Sequence, residues 1–177
     1  MIQTDKFLRY ILIGILFTIG LGTLLHFTYE WSGNNPIVGL FSAVSESTWE
    51  HLKLLFFPML IYSFLLYAKF YNVYENIPIA IAIGILSGLI TIPVLFYTYT
   101  GIIGTHVLII DLAIFVISII LAFFVSSVIV LKGCLNQKGW NQIGVALLLF
   151  LTTLFLWFTY EPPSLNLFAD PSLPTLK

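Results

Sequence analysis

The chain has 177 residues, of which 59% are hydrophobic, 16% aromatic and only 8% charged; a soluble domain carries about 25% charged residues, so this composition excludes one and makes the bilayer the solvent. Seven Lys and Arg against eight Asp and Glu give a net charge of −1, and basic residues so few and dispersed exclude nucleic acid as a partner. The single Cys134 excludes a disulfide within the chain.

A helix needs about 20 apolar residues to cross a hydrocarbon core of about 30 Å. Runs of that kind lie near Phe7–Thr28, Leu52–Phe70, Ile77–Tyr97, Val107–Leu131 and Trp140–Tyr160. They predict an all-α polytopic transmembrane bundle of five spans in one domain, 1–177, with connections too short for a separate ligand module. Lys6 and Arg9 resemble the basic start of a signal peptide, but the run after them is longer than a 7–15-residue signal core and lacks a small-residue cleavage site. It is expected to stay as the first helix.

The first span places Thr18, Gly22, His26 and Glu30 four residues apart, one small and polar stripe that should face protein. Trp31 to Pro36 is a turn cluster, and Ile37–Val44 is apolar but too short to span; residues 31–51 are therefore an extracytoplasmic or re-entrant connection. The second span opens on Ser45-Glu46-Ser47-Thr48-Trp49-Glu50-His51-Leu52-Lys53, where Ser47 and Glu50 have capping-box spacing. On the plain reading this is a helix cap with Trp49 and Lys53 as interface anchors. On the functional reading Glu46 and Glu50 share a face beside His51, opposite a first span that ends in His26 and Glu30.

Ala80, Gly84 and Gly88 form a small-residue stripe on the third span, suited to packing on a matching stripe of the fourth or to a homo-oligomer contact. Pro58 and Pro93 predict kinks within spans. The fourth span carries Asp111, Ser118, Ala122 and Ser126 on one face, and a carboxylate as deep as Asp111 needs a partner. His106 stands five residues earlier, about 140° away on an ideal helix, so the two meet only where the helix end is frayed or bent. After the last span, residues 161–177 are an extracytoplasmic tail whose apolar residues suit a segment folded back over the mouth of the bundle.

Lys6, Arg9, Lys69, Lys132 and Lys138 fall on one side of this bundle and only Lys53 and Lys177 on the other. Short loops rich in Lys and Arg stay cytoplasmic, so the N-terminus is predicted inside. All three histidines and most of the acids then gather at the outer end. Imidazoles and carboxylates are ligands for zinc or another divalent metal, which makes His26, Glu30, His51, His106 and Asp111 the candidate metal ligands and Glu46 and Glu50 the candidate catalytic acid/base residues. Neither H-x-x-x-H nor H-E-x-x-H occurs.

His26-Phe27-Thr28-Tyr29-Glu30-Trp31, Asn35-Pro36-Ile37-Val38-Gly39-Leu40-Phe41, Glu46-Ser47-Thr48-Trp49-Glu50-His51-Leu52-Lys53, and Pro162-Pro163 with Leu167-Phe168-Ala169-Asp170-Pro171 carry a resemblance. With these segments the whole chain resembles an uncharacterised family of small bacterial integral membrane proteins. The resemblance implies a multi-pass fold in the bacterial cytoplasmic membrane, with the lipid bilayer as partner, and implies no mechanism. Three readings stay open: a metal-dependent hydrolase or lipid-modifying enzyme, a proton- or metal-coupled transporter, and a structural or accessory membrane subunit. Below the outer third the spans offer only hydroxyls and small residues, which counts against a complete transport path in one copy.

Overall fold

The computed structural model describes residues 2–170; Pro171 and Lys177, which enter the tail motif and the charge bias above, lie outside the described residues. These residues are helical with no strand among them: α1 (Ile2–Trp31), the short α2 (Pro36–Gly39), α3 (Thr48–Phe70), α4 (Ile77–Ile103), α5 (Leu108–Lys132), α6 (Trp140–Phe158) and a 3-10 turn at Asn166–Phe168. All but α2 and the 3-10 turn are long and apolar enough to cross a membrane, five in all. They outrun the predicted spans at several ends, because a helix keeps its hydrogen bonds beyond the apolar run until a cap or turn ends it. At α4 that turn is Gly104, at φ +84°, whose N–H donates to Thr100 O.

Helix α3 is the axis of the bundle. Its most apolar stretch is 56% buried, against 11% for that of α6, and it supplies Leu55, Phe56, Met59, Tyr62 and Leu66 to the core. It packs on α1 and α4; α4 packs in turn on α5 and α6, and α1 reaches α5. Pro58 and Pro93 lie inside α3 and α4, which are each continuous through them.

The small residues fix how closely these helices approach. A Cβ on Gly84 would stand 1.9 Å from Ser126 Oγ and 2.4 Å from Ala122 O, and one on Gly88 would meet Leu55, Ala122 and Ser118. The Ala80/Gly84/Gly88 stripe is thus occupied by α5 within the chain, on the Ser118, Ala122 and Ser126 face that the sequence marked. On α1, a Cβ on Gly22 would lie 2.3 Å from Leu54 O, so Gly22 lets α1 touch the α3 backbone one turn before His26. Backbones this close lock the rotation of both helices, and with it the direction of the side chains one turn further on.

The connection between α1 and α3 folds against the helix ends. Thr28 and Ser42 hydroxyls are 2.6 Å apart, Phe41 lies edge-on to Phe57, and Tyr160 donates to Pro36 O. The tail returns over the same end: Phe168 packs on Trp49 and Phe158, and Tyr97 donates to Asn166 O.

Gly84→Val is expected to lower stability by about 1–3 kcal/mol through overpacking against the α5 backbone. Reversible unfolding in mixed micelles checks this. An unchanged midpoint would mean that α4 and α5 are not in contact at this depth.

Candidate metal centre

His51 sits in the first turn of α3, and its direction is set by the cap. Ser47, the N-cap, has an extended backbone and accepts from Glu50 N–H through its hydroxyl. Ser47 O lies 2.9 Å from His51 Nδ1. A carbonyl only accepts, so Nδ1 carries the proton of neutral His51 and Nε2 presents a lone pair. Facing it from α1 is His26, its Nε2 3.3 Å away. Glu46, on the turn before α3, brings Oε2 to 3.5 Å from His51 Nε2 and 3.8 Å from His26 Nε2.

These three separations are nearly equal. The two imidazole nitrogens are within hydrogen-bond distance of one another, and the Glu46 oxygen stands at a similar spacing from both. The point equidistant from the three atoms is about 2 Å from each of them, the distance at which zinc binds imidazole nitrogen and carboxylate oxygen, about 2.0–2.2 Å. Among the described residues these are the His, Cys, Asp and Glu side chains that gather within reach of one ion. The side chains are 29%, 33% and 55% exposed for His26, His51 and Glu46, so one side of the group is open. His26 Nδ1 is buried without a hydrogen-bond partner among the described residues, so the orientation of this ring rests on packing.

The other predicted site residues are placed elsewhere. Glu30 is exposed one turn beyond His26, where its charge still reaches that ring. Glu50 is engaged by other partners. Its Oε2 pairs with Lys53 Nζ at 2.5 Å and accepts Val44 N–H at 2.9 Å. Glu46 and Glu50 do not share a helical face, because Glu46 precedes the cap and its direction owes nothing to helical periodicity. His106 and Asp111 form a separate pair, Nδ1 to Oδ2 at 3.4 Å. They can meet because α5 begins at Leu108, leaving His106 outside the helix. Tyr99 donates to the other Asp111 oxygen and accepts Val107 N–H, which meets the partner requirement of that carboxylate.

Lys53 has the role that sequence reasoning missed. It is wholly buried rather than an interface anchor, and its ammonium donates to Glu50, to Gly39 O at 2.8 Å and to Thr159 Oγ1 at 3.1 Å. One cation so joins α3, α2 and the end of α6. The Glu50–Lys53 spacing of three residues was the available signal. Trp49 is also buried, against Phe155, Phe158 and Phe168.

The chain belongs to the DUF6512 family, a family of unknown function whose profile matches residues 1–173. No curated protein and no solved structure matches it.

Removing one partner of a buried ion pair leaves the other charge uncompensated, at a cost of about 3–5 kcal/mol. Lys53→Met is therefore expected to be strongly destabilising, and Glu50→Leu added to it should recover part of the loss, as measured by unfolding in micelles. If Lys53→Met were neutral, the ammonium would not be the cation that joins these segments.

Proposed function

We propose that the chain is a membrane-embedded, metal-dependent hydrolase or lipid-modifying enzyme whose metal is held by His26, Glu46 and His51. The near-equal spacing of three ligand atoms about one point carries this reading. Three protein ligands with an open side is the pattern of catalytic zinc sites, where structural sites are closed by four. A divalent ion held there would supply Lewis-acid chemistry, polarising a carbonyl or phosphoryl group and lowering the pKa of water.

The chain's own residues divide the remaining work. His51 is held in its ligating tautomer by Ser47 O, and Glu46 supplies the negative charge that favours a divalent cation. Glu30, exposed one turn beyond His26 with its charge acting on that ring, is the carboxylate this reading takes as general base. The helix ends and aromatic residues around the site, with Phe27 stacked on Trp31, suit a substrate met at the lipid–water boundary, an ester or amide. The positive-inside bias of the sequence supports a position for this face on the outer leaflet. Transport is less well supported: beneath the site the would-be Cβ positions of Gly22 and Gly14 fall on Leu54 O, Phe115, Tyr62 and Phe123, so the space between the helices is filled.

Protein purified without chelator and reconstituted in nanodiscs is expected to hold about one zinc-class ion per chain, measured by mass spectrometry. His26→Ala, His51→Ala and Glu46→Ala should each lose it, as should acidification to pH 5, since imidazole ligates in its neutral form. Glu30→Gln should keep the ion and lose release of fatty acid or headgroup from mixed phospholipid vesicles. Metal-free native protein would overturn the metal reading; a metal-loaded but fully active Glu30→Gln would overturn the base assignment alone.

A further inference from the structure

His26 and His51 are carried by long helices, but Glu46 sits on a turn. Its main chain is free of the helical ladder and must be held some other way. On one side Val44 N–H is bound by Glu50, itself fixed by Lys53. On the other, Glu46 N–H donates to Asp170 Oδ2 at 3.2 Å, across 124 residues of sequence. Asp170 is brought there by the folded-back tail, in which Phe168 packs on Trp49 and Asn166 O accepts from Tyr97. Trp49, Glu46 and His51 belong to one short segment, so the tail is fastened to the stretch that supplies two of the three ligands.

We propose that Asp170 is a positioning residue for the metal centre, holding the Glu46 backbone so that its carboxylate stays within reach of both imidazoles. This rests on the metal-site reading above. The carboxylate acts on the ligand turn from behind, as the hydrogen-bond partners behind metal ligands do, and loss of such a partner typically weakens metal binding by about 10–100-fold. The tail is then part of the site: a cut before Asp170 disarms Glu46 while leaving both histidines in place.

The test is zinc affinity by competition with a chromophoric chelator, on full-length protein in nanodiscs. Asp170→Ala is expected to weaken binding at least about tenfold, with helical content and the unfolding midpoint of the metal-free protein unchanged. Asp170→Asn should restore much of the affinity, since its amide oxygen still accepts the Glu46 N–H. In a Glu46→Ala background, Asp170→Ala should have no further effect. Tight binding by native protein with equal affinity in Asp170→Ala would overturn the positioning role and leave the metal site standing; so would a loss that persists undiminished without the Glu46 carboxylate. Absence of zinc binding by the native protein would overturn both.

Discussion

A buried ammonium needs three acceptors, and in this bundle finding them organises one whole end of the molecule. Lys53 has no exposed surface, and it takes its acceptors from its own helix, from the α2 segment and from the last residues of α6. In a low-dielectric setting an unmet charge costs several kcal/mol, so these segments are not free to move independently. Glu50 completes the arrangement by binding Val44 N–H, which fixes the chain two residues before Glu46.

The same short segment therefore looks two ways. Glu50 and Lys53 turn toward α2 and α6 and hold the structure together; Glu46 and His51 bring their side chains to His26 on α1. The difference comes from the cap. Ser47 ends the turn and starts α3, so that the residue before it projects outside the helix while residues 50 and 53 share an inward face. The Glu50 side chain, which in a full capping box would reach back to Ser47 N–H, is diverted to Lys53, and Ser47 N–H instead faces Ser45 Oγ at 3.4 Å. From the other side Gly22 brings α1 against the α3 backbone, and His26 one turn later meets His51. Backbone approach places the imidazoles, and the buried ion pair places the carboxylate's turn.

Much of the fold was legible in the sequence, because bilayer physics acts on composition and residue order. Five apolar runs became five long helices, the Ala80/Gly84/Gly88 stripe met the small face of α5, and the apolar tail folded back on Trp49. The opposition of His26 to His51 also followed from spans that end on one side. Harder to see was which of two carboxylates belongs with the histidines. Glu46 and Glu50 look equivalent at helical spacing, but Glu46 lies before the cap, and Glu50 is drawn away by Lys53, whose three-residue spacing allows the pair but whose burial depends on acceptors far along the chain. The Asp170 contact was equally hidden, since it joins residues 124 apart through a tail whose composition predicts folding back but not its landing point.

Two imidazoles and a carboxylate at this end of the bundle are proposed to share one ion. Zinc-edge X-ray absorption on loaded protein in nanodiscs reads that ligand set. Imidazole scattering from two ligands and a low coordination number are expected, with nitrogen and oxygen at about 2.0–2.2 Å, and loss of the imidazole signal in a His26→Ala, His51→Ala double variant. A shell of six oxygens without imidazole scattering, unchanged in that variant, would contradict it.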